Sequence, residues 1–137
     1  MTIASLTVAL PEFQDGQIIY LQHEATRLYA ETIQIISSRQ LCWARPLALI
    51  QFPDALDSSF YKPFILYDLR HGSDLLLPIS LFRIALDIEA IPVIAQLNAP
   101  KNDLPTGQLT DNKEIPLPLL QNFVHQVWQT HSEQFSK

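Results

Sequence analysis

The order of the apolar patterns along this chain most constrains the fold that it can adopt. In the first half, short β-branched and aromatic segments are bounded by turn residues, which is typical of strands. In the second half, apolar residues recur at helical spacing. Strands grouped first and helices grouped last favour an α+β fold, because a doubly wound α/β fold needs the two to alternate. We predict an antiparallel meander of about five strands followed by two helices.

The strand pattern predicts where the sheet segments lie. They are residues 17–22, about 28–36, 40–52, 64–69 and 74–77. Because the first half of 23–36 is also compatible with a helix, a helix competes with the strand there. Pro46 cannot donate a ladder hydrogen bond, so its strand is expected at a sheet edge or with a bulge. The RHGS connection at 70–73, with Gly72, predicts a hairpin between the last two strands.

Two helices are predicted in the second half of the chain. The first begins near Pro78 and is kinked or ended by Pro92, and it is apolar nearly all round, so we expect it to be largely buried across the sheet. Its helically spaced apolar residues are Leu81, Ile84, Ala85, Ile88 and Ile91. The second is an amphipathic helix at about 117–131, whose apolar face carries Leu120, Phe123, Val124, Val127 and Trp128. Between them, 98–116 is expected to be a long irregular loop.

Composition places the chain among compact soluble proteins. Its 137 residues fit a single domain spanning 1–137, and 47% hydrophobic against 17% charged residues suits a packed core. The net charge of -5 and the scattered basic residues argue against direct binding to nucleic acid. The sequence has neither a long uncharged apolar run nor the charged start of a secretory signal. We predict a cytoplasmic protein without a membrane span.

The residues that support common enzyme chemistry are missing from the sequence. Cys42 is the only cysteine, which excludes an internal disulfide, and its position in a strand indicates a buried hydrophobe and not a nucleophile. Three glycines cannot build a P-loop or a dinucleotide fingerprint, and the four histidines lack the spacing of a helical zinc site. The sequence therefore predicts no catalytic residue, no cofactor and no metal site.

A polar island interrupts the apolar stretch at 66–83. Asp68, His71 and Asp74 could pair a histidine with a carboxylate, the arrangement that general base catalysis uses. Turns select Asp, Ser and Gly for backbone reasons alone, and a hairpin tip offers no pocket that excludes water. We interpret the island as an exposed tip, with recognition of a partner as the functional alternative to a plain turn.

Trp43 and Arg45 are two residues apart in an extended segment, so they project to the same face. Together with Tyr61, Phe64 and Tyr67 they could form an aromatic contact patch of the kind enriched at interfaces. The alternative is that they pack the sheet against the helices. The candidate partner-binding residues are Trp43, Arg45, Asp68, Arg70, His71 and Asp74. Charge reversal at Arg45 and at Arg70 is expected to weaken partner binding without unfolding the protein.

The stretch from LCWARPLALI through SDLLLPISLFRIALDIEAIPVIAQL, roughly residues 40–97, resembles EbsA, a family of small cyanobacterial type IV pilus biogenesis proteins. The resemblance implies a non-enzymatic cytoplasmic partner of the pilus assembly ATPase PilB and the RNA chaperone Hfq. It implies roles in piliation, motility, DNA uptake and biofilm control, and it assigns no functional residues.

Our leading hypothesis is therefore an adaptor that acts through protein–protein binding. One alternative is a subunit or assembly factor of a photosynthetic complex, since that role also needs only a binding surface. The other is a small-molecule-binding domain or an unrecognised enzyme. Its site would lie between the sheet and the Pro78 helix and would be lined by Tyr67, His71 and Arg83.

Overall fold

The computed structural model describes residues 13–53, 64–98, 108–110 and 116–131. It confirms an α+β fold built from one sheet and two helices. The strands are β1 (Ile18–His23), β2 (Thr26–Ile36), β3 (Leu41–Gln51), β4 (Phe64–Asp68), β5 (Leu75–Pro78), β6 (Arg83–Ile84) and β7 (Gln108–Thr110). The helices are α1 (Asp87–Asn98) and α2 (Pro116–Thr130). Most of the predicted loop 53–59 and of the predicted loop 98–116 lies outside the described residues, while 108–110 forms β7.

The sheet is a meander whose two outer strands come from later in the chain. β1, β2, β3 and β4 are antiparallel neighbours in that order, β6 pairs with the outer side of β1, and β7 pairs in parallel with β4. Segment 26–36 is therefore a strand throughout, as its alternating residues predicted. A turn at Glu24, which has a φ of 56°, connects it to β1.

β3 is the central strand, and it carries a bulge at Pro46. Ala30 lies opposite Pro46 whereas Tyr29 lies opposite Ala48, so Leu47 is an extra residue on β3. The bulge lets a residue without an N–H sit inside a sheet, because the ladder is interrupted there in any case. We predicted that the strand with Pro46 would lie at a sheet edge or carry a bulge, and the structure has the bulge.

The predicted hairpin at 70–73 is wrong. In the described part of the chain, β4 pairs with residues 48–51 of β3 and β5 pairs with residues 41–44, both antiparallel, and they do not pair with each other. The backbone N–H of Leu69 donates to the carbonyl of Leu47, which keeps the chain beside β3 as it leaves β4. The RHGS turn is thus a short excursion between two segments that follow the same neighbour.

The predicted start of the first helix is also wrong. Pro78 ends β5, a single 3-10 turn follows at Ile79–Leu81, and α1 begins only after β6. The side chain of Glu89 accepts the backbone N–H of Leu86 at 3.0 Å, the reciprocal half of a capping box, which fixes the helix start. Pro92 lies inside the helix and does not end it.

The two helices lie on opposite faces of the sheet. Leu28 and Ala30 belong to the apolar cluster under α2, whereas Tyr29 between them belongs to the cluster under α1. The residues of α1 that enter its cluster are Ala90, Val93 and Leu97, and those of α2 are Leu120, Phe123 and Val127. Trp128, which we placed on the apolar face of α2, is 48% exposed.

Candidate functional site

Trp43, Arg45 and Asp74, three of the predicted partner-binding residues, form one exposed cluster. The indole Nε1 of Trp43 donates to Asp74 Oδ2 at 2.9 Å, and Arg45 Nε donates to Asp74 Oδ1 at 3.4 Å. β3 projects Trp43 and Arg45 to one face because Cys42 and Ala44 occupy the other, buried face. A single carboxylate therefore orients an aromatic ring and a guanidinium on the surface.

Leu76 extends this cluster into an apolar patch. It lies directly opposite Trp43 in the β3–β5 ladder, and the two residues are 53% and 39% exposed. Cross-strand neighbours are close enough to contact each other. We call Trp43, Arg45, Asp74 and Leu76 the β3–β5 surface; it lies on the side of the sheet that carries α1, beyond the part that the helix covers.

Asp68 and Arg70 have a structural role. Arg70 donates from Nε and Nη2 to the two Asp68 carboxylate oxygens at 3.0 and 2.8 Å. It also donates to the carbonyl of Leu97 at 2.8 Å and to Asn98 Oδ1 at 3.0 Å, which caps the C-terminal end of α1. Charge reversal at Arg70 would therefore disturb the docking of α1, which alters the expectation for that variant.

Arg70 determines the acidity of its partner carboxylate. Burial alone would raise the pKa of Asp68, but the hydrogen bonds and the charge of Arg70 outweigh it and hold that pKa below its ordinary value. His71 is exposed, and in the described part of the chain no hydrogen bond joins it to Asp68 or Asp74. The island therefore does not form the histidine–carboxylate pair that general base catalysis would use.

The other aromatic residues of the predicted patch are not brought together on this surface. Phe64 is buried in the cluster under α1, and Tyr67 packs against the cluster on the opposite face. For these two residues, packing of the sheet is the correct interpretation. Tyr61 lies outside the described residues.

The outer face of α1 is an exposed apolar surface that we predicted to be buried. Ile88 and Ile91 are 78% and 64% exposed, and Leu86 just before the helix is 60% exposed. Ala95 is also exposed, so Ile88, Ile91 and Ala95 form a stripe at i, i+3 and i+7. We call Leu86, Ile88, Ile91 and Ala95 the α1 outer face.

The sequence contained a signal for this surface. α1 is apolar nearly all round, yet it packs only one of its faces on the sheet. The other predicted helix covers the opposite face of the sheet, so it cannot also cover α1. An apolar helix with one layer to pack against must leave a face uncovered, and such a face marks an interaction site.

A cleft of about 440 Å³ lies beside β1 and β6, lined by Tyr20, Leu21, Gln22, Ser80, Leu81, Arg83 and His131. Of the residues that we expected to line a pocket, Arg83 lines this cleft, whereas Tyr67 and His71 do not. Within the described residues, no group of three or more His, Cys, Asp or Glu side chains could hold a metal ion.

Comparisons of the chain with protein-family models, with curated proteins and with solved structures found no match. Neither helix, over the residues that the structure describes, is long and apolar enough to cross a membrane.

Proposed function

We propose that this protein is a non-enzymatic adaptor that binds another protein through the side of the sheet that carries α1. The observation that supports this proposal is the exposure of Ile88 and Ile91, at 78% and 64%, on the α1 outer face. Single exposed apolar residues are ordinary, but a helical stripe of them, continued by Leu86, is typical of an interaction surface.

The α1 outer face is held in place in the unbound protein. Arg27 on β2 donates to Glu89 in the first turn of α1 at 2.9 Å, and Arg70 donates to Leu97 in the last turn at 2.8 Å. A helix fixed at both ends loses little conformational freedom on binding, so less of the interaction energy is spent on ordering it.

The β3–β5 surface adds the residue types that dominate interface energetics. Trp43 and Arg45 are both oriented by Asp74, and Trp and Arg are enriched among the residues that contribute most to binding. Because this surface and the α1 outer face lie on the same side of the sheet, one partner could contact both.

The resemblance of residues 40–97 to pilus biogenesis proteins supports a role in type IV pilus assembly in the cytoplasm. The proposed partners are the pilus assembly ATPase PilB and the RNA chaperone Hfq. A subunit or assembly factor of a photosynthetic complex would use an equivalent surface, and the identity of the captured partner distinguishes the two roles.

The test is affinity purification of the tagged full chain from its native cells, followed by direct binding of the recovered partner in purified form. One variant combines Ile88→Asp with Ile91→Gln; an aspartate in the first turn suits the helix dipole, so α1 should stay folded. A second variant combines Trp43→Ala with Arg45→Glu. The matched control is Trp128→Ala, which removes an exposed apolar side chain from α2 on the opposite side of the sheet.

We expect recovery of PilB and Hfq, and a loss of affinity of roughly thirtyfold or more in the α1 variant, with the control unchanged. Recovery of photosystem subunits in their place would keep the adaptor function and contradict the pilus role. If both surface variants bind the partner as tightly as the native protein does, the proposed surface is contradicted. If no protein is captured, the adaptor proposal itself fails.

A further inference from the structure

A polar cleft opens at the edge of the sheet, beside the last residues of β1, which β6 does not cover. In the described part of the chain, β6 pairs with Ile19 and Tyr20 of β1, whereas β1 continues to His23. The cleft beside it has a volume of about 440 Å³, within the range of small-molecule sites. It shares no residue with the α1 outer face or the β3–β5 surface.

The lining of the cleft is matched to a negative charge. Among the residues that line it in the described part of the chain there is no aspartate or glutamate, while Arg83 and His131 both offer nitrogen donors. This is notable in a chain whose net charge is -5. The remaining polar side chains that line it, Tyr20, Gln22 and Ser80, are neutral.

Arg83 differs from the arginines that form ion pairs within the protein. Arg27, Arg45 and Arg70 each pair with a carboxylate, at distances of 2.9, 3.4 and 2.8 Å. Within the part of the chain that the structure describes, no carboxylate forms an ion pair with Arg83. An arginine fork that lines a concave site without a protein carboxylate is suited to a bidentate interaction with an oxyanion.

The two side chains that offer nitrogen donors are placed by separate elements. Arg83 is held opposite Tyr20 in the β1–β6 ladder. The backbone N–H of His131 donates to the carbonyl of Val127 at 2.8 Å, which continues the last turn of α2. The centroid of the Tyr20 ring lies 4.3 Å from the guanidinium carbon of Arg27, which fixes a third wall.

We propose that this cleft binds a small anion carrying phosphate or carboxylate groups. Arg83 supplies the charged fork, and the His131 imidazole donates a hydrogen bond from the opposite element. The site is independent of the proposed partner-binding surface, so either can fail without the other.

The test is a titration of the ¹⁵N-labelled full chain with pyrophosphate, inorganic phosphate and citrate at constant ionic strength, followed by NMR. We expect saturable shifts at residues 20–22 and 80–83. Arg83→Gln should raise the dissociation constant by about tenfold or more, because it removes charge-assisted hydrogen bonds. Arg83→Lys, which keeps the charge and loses the fork, should lie between Gln and the native residue. The control is Arg39→Gln, an exposed arginine outside the cleft.

Preference for the phosphate compounds supports a phosphorylated ligand, and preference for citrate supports a carboxylate ligand. The proposal is overturned if no probe gives saturable shifts at the cleft. It is also overturned if Arg83→Gln, shown to be folded by its spectrum, binds as tightly as the native protein.

Discussion

Arg27 and Glu89 form an ion pair that joins the sheet to the first turn of α1 across 62 residues of sequence. Arg27 Nη1 lies 2.9 Å from Glu89 Oε2, and the two side chains are only 10% and 20% exposed. Arg27 also donates to Gln22 Oε1 at 2.9 Å and to the Tyr29 hydroxyl at 2.8 Å. The pair therefore belongs to a buried polar network that fixes where α1 sits on the sheet.

Removing the charge of Glu89 should destabilise the protein strongly. Glu89→Gln leaves the buried guanidinium of Arg27 without a compensating charge, and breaking a buried pair in this way costs about 3 kcal/mol or more. The free energy of unfolding in urea, followed by tryptophan fluorescence, measures the loss. The matched control is Glu24→Gln, because the Glu24 side chain is 80% exposed and should change stability by less than about 0.5 kcal/mol. Equal losses in the two variants would show that the ion pair does not hold α1.

Stability in acid should depend on Asp68. The pKa of Asp68 is lowered in the folded protein. The contribution of its ionised carboxylate to the free energy of unfolding is therefore fully present above the ordinary aspartate pKa of about 3.9. It is lost as the pH falls below that value through the lower folded-state pKa. Asp68→Asn lacks this contribution, so the stability difference between native protein and variant should shrink as the pH is lowered from about 6 to about 2.

Urea unfolding at a series of pH values measures that difference. Asp15→Asn, at an exposed aspartate, controls for the loss of one surface charge. A difference between native protein and Asp68→Asn that stays constant over the whole range would contradict the assignment of the Asp68–Arg70 pair.

Cys42 should be almost unreactive in the folded protein. Its side chain is fully buried in the apolar cluster under α2, and burial raises the pKa of the thiol to about 11. Because only the thiolate attacks a disulfide reagent, labelling by Ellman's reagent at about pH 8 should be at least about a hundredfold slower than in urea. Rapid stoichiometric labelling of the native protein would mean that Cys42 is accessible.

Much of the strand architecture was predictable because its signals are local. β-Branched and aromatic segments marked the strands, and the two-residue period placed Trp43 and Arg45 on one face. Pro46 by its chemistry alone restricted β3 to an edge position or a bulge. Each of these inferences depends on residues that are neighbours in sequence.

The errors arose where distant residues decide. RHGS has the composition of a hairpin turn. The flanking strands β4 and β5 do not pair with each other, however, because both pair with β3, each along a different part of it. The apolar residues after Pro78 do have helical spacing, but Arg83 and Ile84 form a strand because they pair with β1. The bonds from Arg70 to Leu97 and Asn98 at the end of α1 join residues 27 and 28 positions apart, so the sequence could not show them.

The sequence by itself thus determined the class of fold, the grouping of strands before helices and the alternation that exposes Trp43 beside Arg45. The tertiary structure decided which face of α1 is buried. A helix that is apolar nearly all round can pack through either side, so its own residues do not choose. In the folded protein Arg27 and Arg70 bind the two ends of α1, and the helix packs Ala90, Val93 and Leu97 into the cluster beneath it. This arrangement leaves Ile88 and Ile91 in solvent.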